Sequence, residues 1–294
     1  MSTLVATHNG PFHADDVLAW ALIRVFHDAD ADLVRTRDPA VYDPADVVFD
    51  VGGAYEPDRQ RFDHHQHDYT GPLSSAGMVL AWLEDAGTVS PGLAETLREH
   101  LVDYVDAVDN GRRVPDAAVP CFAQIVHAYN QGSETMDEFN AAFLRAGEVA
   151  KGLVEGLAAG YRERVESAAV IAQAMDDAAT AGSNLIILDR YRNWKDTYFA
   201  RGGGEHVTEF VLHPGVEGRW RSVAIPPERG SFAQKRSFPA AWAGLRDAEL
   251  EAVTGVKGSL FCHKNRFIAV FTTRAATLAA MQKFGLIRGP VPSE

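Results

Sequence analysis

Leu4-Val5-Ala6-Thr7-His8-Asn9-Gly10-Pro11-Phe12-His13-Ala14-Asp15-Asp16-Val17-Leu18 begins as a short apolar run, turns at Gly10-Pro11, and enters a stretch with helical spacing. Val17, Leu18, Ala21, Leu22, Val25 and Phe26 recur on one helix face, so 15–27 reads as a helix behind a strand at 4–6. Residues 32–37 and 46–51 then read as buried strands. Strands alternating with helices form βαβ units, which build a largely parallel sheet. A helix from Ser74 to near Gly87 follows, with Ser74 or Ser75 as N-cap; another spans 93–109 and stops at Gly111.

Residues 116–181 are Ala-rich and helix-like, although glycines at 147, 152, 156 and 160 each weaken a helix. After Gly182 the texture changes. Residues 185–188, 209–212, 220–225 and 260–271 read as strands between Gly/Pro turns, and 275–284 as a closing helix. Arg201-Gly202-Gly203-Gly204-Glu205-His206 reads as a mobile loop. The expected fold class is α/β, with three parts: a parallel-sheet domain over 1–115, a helical connector over 116–182, and a smaller mixed α/β domain over 183–294.

Composition narrows the function classes. With 294 residues, 46% hydrophobic and 23% charged, the chain is globular, not disordered, collagenous or coiled-coil. No apolar run approaches the roughly 20 residues that span a bilayer, and no membrane partner is expected. The first eight residues lack the basic and apolar regions of a secretion signal, and two cysteines, Cys121 and Cys262, cannot frame a disulfide scaffold. A cytoplasmic protein is expected. Residues 1–110 carry a net charge of −14, residues 111–184 a net of −4, and residues 185–294 a net of +6. The first part suits cations and the last suits anions such as phosphates.

Six of the eleven histidines fall within the first 67 residues, and their places follow the strands. His8, His13 and Asp15 come after the first strand. Asp50 ends a later one before Gly52-Gly53, and Asp63-His64-His65 follows within a dozen residues. Ligands of an open parallel sheet bind beyond the carboxyl ends of its strands, where these groups converge. Asp103, Asp106 and Asp109 share one face of a predicted helix. Taken singly, Asp15-Asp16 also suits a helix dipole and the three helical aspartates a solvated face. Taken together, carboxylates and imidazoles without cysteine suit two divalent ions, Mn²⁺ first, with Mg²⁺ or Co²⁺ as alternatives. Two ions sharing a bridging carboxylate is an arrangement that serves phosphoryl displacement.

Val34-Arg35-Thr36-Arg37-Asp38-Pro39, Val48-Phe49-Asp50-Val51-Gly52-Gly53, Arg61-Phe62-Asp63-His64-His65-Gln66 and Val105-Asp106-Ala107-Val108-Asp109-Asn110-Gly111 join the opening motif in a pattern that resembles the Myg (melanocyte proliferating gene) family. Trp194-Lys195, Trp220-Arg221-Ser222 and Trp242-Ala243-Gly244 extend the resemblance over nearly the whole chain. That family is placed among the DHH phosphoesterases, similar to RecJ-type nucleases and manganese-dependent pyrophosphatases, and includes 3′-to-5′ RNA exonucleases. The resemblance implies His8, His13, Asp15, Asp50 and His64 as metal ligands, with Asp50 bridging. It implies Asp106 as the fourth-motif ligand, with Asp109 as second choice. His65 is implied to touch the scissile phosphate or to orient Asp63, and both are assigned catalytic roles. The pyrophosphatase relatives carry an aspartate where this chain has His13, which bears on the role of His8.

The second lobe departs from that pattern. Relatives keep a Gly-Gly-His-like run where this chain has Phe267-Ile268-Ala269-Val270-Phe271-Thr272-Thr273-Arg274. Arg274, with Lys264 or Arg266, is the expected replacement anion contact, and Lys235 with Arg236 is a weaker one. The expected activity is metal-dependent phosphodiester hydrolysis, 3′-to-5′ on RNA or short oligonucleotides. The alternatives are a small-molecule phosphohydrolase acting on a cyclic dinucleotide or pyrophosphate, and a non-catalytic, metal-stabilised binding protein. Oligomeric state is left open, a homodimer included.

Overall fold

The computed structural model describes residues 2–115 and 118–292, so positions 1, 116, 117, 293 and 294 of the expected parts lie outside the described residues. Two compact units, Met1–Tyr161 and Arg162–Glu294, make up the chain.

The first unit is built on β1 (Leu4–Thr7), α1 (Ala14–Phe26), β2 (Asp32–Arg35), α2 (Pro39–Tyr42), β3 (Val47–Phe49), β4 (Tyr55–Glu56) and β5 (Arg61–Phe62). Its five-stranded sheet has the order β2-β1-β3-β5-β4. β1 lies parallel to β2 and β3, β5 lies parallel to β3, and only the edge strand β4 runs antiparallel. Val5, Ala6, Val47, Val48 and Phe49 are wholly buried, as central strands covered on both faces require. One face packs on Leu18 and Leu22 of α1 and on Met78, Val79 and Leu83 of α3 (Ser75–Asp85); the other is closed by a small cluster at Ala45 and Tyr42. Parallel pairing of β1, β3 and β5 has one consequence for chemistry. Their carboxyl ends share an edge, and the residues after them meet there.

The expected helix over 93–109 is α4 (Pro91–Leu97) and α5 (Asp103–Asp109), joined by a wide π-helical turn at Arg98–Val102. After α6 (Phe122–Tyr129) comes α7 (Met136–Ala181), 46 residues long and unbroken by its four glycines. Ala142, Phe143, Ala146, Ala150 and Val154 recur on one face and bury in the first unit's core, and that burial outweighs the glycine penalty. Gly147 has a packing reason as well: a Cβ there would lie 2.9 Å from Cδ1 of Trp20.

The second unit holds β6 (Leu185–Ile187), α8 (Lys195–Ala200), β7 (Phe210–Pro214), β8 (Trp220–Ala224), α9 (Asp247–Thr254), β9 (Ser259–Cys262), β10 (Ile268–Phe271) and α10 (Arg274–Lys283). Its sheet runs β6-β7-β8-β10-β9, parallel only at β6–β7, which is the expected mixed α/β sheet. One core packs Phe210, Phe238, Trp242, Phe271 and Met281; the other packs Ile171 and Met175 of α7 against Trp194, Tyr198 and Val211. The last turns of α7 therefore belong to this unit, with the division at Tyr161/Arg162.

Candidate metal centre

The turn after β1 delivers His8 and His13, and the first turn of α1 delivers Asp15 and Asp16. Asp16 Oδ1 accepts the His13 and Val17 backbone N–H groups, at 2.9 and 2.8 Å, which closes the helix N-terminus. Its other oxygen turns inward and lies 3.1 Å from His8 Nε2. Asp50, at the end of β3, holds a left-handed backbone with φ +54, followed by Gly52 and Gly53 at φ +99 and +65. A non-glycine residue in that region is strained, and the fold keeps it there to aim a carboxylate. Asp50 Oδ2 lies 3.2 Å from His8 Nε2, while Oδ1 lies 3.5 Å from His64 Nε2 and 3.3 Å from His65 Nδ1. One carboxylate thus faces two sets of imidazoles with different oxygens.

His64 Nδ1 lies 3.3 Å from Asn110 Oδ1, an acceptor that orients the ring and turns Nε2 toward the carboxylates. That nitrogen points at Asp109 (3.1 Å), Asp50 (3.5 Å) and Asp15 (3.6 Å). His65 Nδ1 lies 2.8 Å from Asp63 Oδ1, whose carboxylate also accepts the Gly53 N–H at 2.6 Å. Among the described residues, three groups have donor atoms close enough to share an ion: His8, Asp16 and Asp50; His13, Asp15 and Asp109; Asp50, His64 and His65.

Asp15 Oδ1 and Oδ2, Asp16 Oδ2, Asp50 Oδ2 and His64 Nε2 are buried with no hydrogen-bond partner among the described residues. Burial, then the charges of Asp50, Asp109 and Asp16, push the Asp15 carboxyl well up from its ordinary value. Burial would lower His8, but the Asp16 and Asp50 carboxylates outweigh it and raise the ring to about 10. His64 likewise reaches about 10, burial being outweighed by Asp109 and Asp50. Burial would raise Asp50, yet the His64 and His8 rings hold it far below the usual carboxylate range. Buried carboxylate oxygens and an imidazole nitrogen without hydrogen-bond partners, and no thiol, fit a divalent cation, which would take the place of the ring proton.

Of the expected first-unit residues, His8, His13, Asp15, Asp50, His64, His65 and Asp109 fall in these groups, and Asp63 backs His65. Asp106 falls outside them: its Oδ1 accepts Ser74 N–H (3.0 Å), Ser74 Oγ–H (2.6 Å) and Gly77 N–H (3.2 Å), tying down the start of α3. A Cβ on Gly77 would collide with Asp106 Oδ2, so glycine is what admits the carboxylate. Asp109, the second choice, faces His64 instead. In sequence Asp16 reads as a helix-dipole acid, and only its burial shows otherwise; the Asp15-Asp16 doublet is the available signal. Ser75, whose hydroxyl lies 3.3 Å from Asp50 Oδ1, is legible in sequence only as a cap.

The basic residues of the second unit divide. Lys235 Nζ donates to Tyr198 Oη (3.0 Å) and to the Gly203 (2.5 Å) and His206 (2.8 Å) carbonyls, so it pins the glycine-rich loop. Arg236 donates to the Gly285 carbonyl at 2.7 Å and pairs with Glu209 at 3.5 Å. Both are engaged by internal partners. Arg274 donates to the Pro292 carbonyl and Arg266 to that of Phe238, while Lys264 is exposed.

Residues 4–284 match the model of the MYG1_exonuc family, described as Uncharacterised protein family (UPF0160). The chain belongs to this family. It is 36% identical over 282 residues to the MYG1 protein of Chlamydia trachomatis serovar D, covering 94% of each chain. It is 34% identical to a MYG1 protein of Chlamydia pneumoniae, covering 95% of each. The MYG1 exonuclease of Homo sapiens is 29% identical over 314 residues, covering 94% of this chain and 84% of that protein. Among solved structures, RecJ of Thermus thermophilus in complex with Mn²⁺ aligns over 99% of this chain and 53% of that one, at 13% identity and a TM-score of 0.31. Among the described residues, no helix is long and apolar enough to cross a membrane.

Proposed function

We propose that this member of the MYG1 family is a metal-dependent phosphodiesterase that removes nucleotides 3′-to-5′ from RNA or short oligonucleotides. The observation that carries the reading is Asp50, whose two oxygens face His8 on one side and His64 with His65 on the other. Full-length relatives named MYG1 exonuclease support the nuclease assignment.

In this reading His8, Asp16, Asp50, His13, Asp15, Asp109 and His64 hold two divalent ions, Mn²⁺ in preference to Mg²⁺ or Co²⁺. When bound, such ions supply a low-pKa water and neutralise charge on the phosphoryl oxygens. His65 is exposed, as is His13, and it sits against Asp50 and Asp63, so we assign it to the scissile phosphate. Asp63, through its hydrogen bond to Nδ1, raises the pKa of that ring and orients it. Residues 1–115 carry the chemistry, 116–182 connect, and 183–294 hold the substrate strand, with Lys264, Arg266 and Arg274 as its anion contacts. The test is one panel with Mn²⁺: end-labelled RNA, DNA, dinucleotides and pyrophosphate. Stepwise release of mononucleotides from the RNA 3′ end is expected. Turnover of pyrophosphate alone, or of none of the four, would overturn the reading.

A further inference from the structure

A cavity of about 480 Å³ in the first unit adjoins the candidate metal centre, with His13 and Asp109 belonging to both. Its size lies within the roughly 300–1,000 Å³ of small-molecule sites. Phe12, Val105, Val108 and Ala123 supply apolar lining, and Gln124 and His127 of α6 supply polar groups. The lining is held in place from two sides. Asn130, just past α6, accepts the Phe12 N–H at 3.0 Å and donates to the Phe12 carbonyl at 2.8 Å, fastening α6 to the turn that carries His13. The Phe12 ring is buried edge-on against Phe143 at 5.4 Å, with the Arg35 guanidinium over both rings.

An apolar cavity with a polar edge, sharing two residues with a phosphate-binding centre, has the chemistry of a nucleobase site. We propose that it takes the base of the nucleotide whose phosphate lies at the metal ligands, so that α6 reads the terminal residue. The proposal rests on the phosphodiesterase reading and adds a specificity pocket to it. Apolar contact with the base supplies affinity that a sugar-phosphate alone lacks, and Gln124 with His127 discriminates among base edges.

The experiment compares oligoribonucleotides whose terminal residue, at either end, carries a base or is abasic, using the Mn²⁺-loaded full chain. Calorimetric binding of a nucleoside monophosphate against ribose 5-phosphate runs beside it. The base-bearing substrate should show a KM about tenfold lower, and the nucleoside monophosphate should bind about tenfold tighter. Ala123→Trp, which fills the cavity, should bring both ratios close to one; Val108→Phe is the second filler if the first disturbs the circular dichroism spectrum. Equal handling of base-bearing and abasic ends by the unaltered chain would overturn the pocket and leave the phosphodiesterase standing. Ratios that survive both fillers would do the same. Absence of metal-dependent cleavage of any substrate would overturn both.

Discussion

Asp50 combines a strained backbone with a carboxylate shared between two imidazole sets, and the two properties separate by substitution. Asparagine tolerates the left-handed region but brings no charge. Asp50→Asn should therefore keep its melting temperature without metal, yet lower turnover by roughly 10³ or more, the scale of losing a principal electrostatic group. Steady-state kinetics beside thermal unfolding checks this; near-normal turnover would remove Asp50 from the centre. Asp106→Ala should do the reverse. It strands the Ser74 and Gly77 donors, costing about 3 kcal/mol of stability, while Mn²⁺ affinity stays within about tenfold, the lower range for groups behind the ligands. His8 and Asp50 are legible in sequence as candidates because each follows a strand that periodicity shows, and His64 because it stands in a run of three titratable residues. The choice between Asp106 and Asp109 is not, since residues three apart share a helix face and only the contacts with Ser74 and Gly77 separate them. The carbonyl partners of Lys235 and Arg236 are illegible for a similar reason: charge is visible in sequence, but what it pairs with is not.

Among the elements, β1, β2, β3 and both flanking helices of the first sheet are legible from periodicity alone, whereas the two-residue strands β4 and β5 are too short to show any. The π-helical turn at 98–102 and the continuity of α7 are not legible either. Glycines at 147, 152, 156 and 160 read as four penalties, yet Gly147 is where Trp20 packs. Strand β7 carries a testable group of its own. His213 is buried, its Nδ1–H donates to the Pro214 carbonyl at 2.7 Å, and burial, then Arg221, depresses its pKa below 6.5. The unfolded chain therefore takes up the proton first on acidification. The stability His213 contributes is complete above its ordinary value and is lost as pH falls through the depressed folded one. Melting temperatures between about pH 7.5 and 5 should fall more steeply for the unaltered protein than for His213→Gln, which cannot titrate. Parallel curves would show that another group governs the acid limb.

For the molecule as a whole, the sequence divides into an acidic part of net −14 over 1–110 and a basic part of net +6 over 185–294. The first gathers carboxylates that bound cations would offset, and the second suits a phosphate chain. If three or four backbone phosphates are engaged, binding of single-stranded RNA should weaken with salt at a log–log slope of about −2 to −3. A flat dependence would point to a compact substrate. Ion binding should also stabilise the chain, since only the folded state assembles ligands drawn from His8 to Asp109. The most direct measurement strips the chain of metal with a chelator and then follows end-labelled RNA while Mn²⁺ is added back. Cleavage should be absent at first, then rise with the added ion to a plateau and release mononucleotides. Undiminished cleavage by the stripped chain, or none at any Mn²⁺ concentration, would contradict the account.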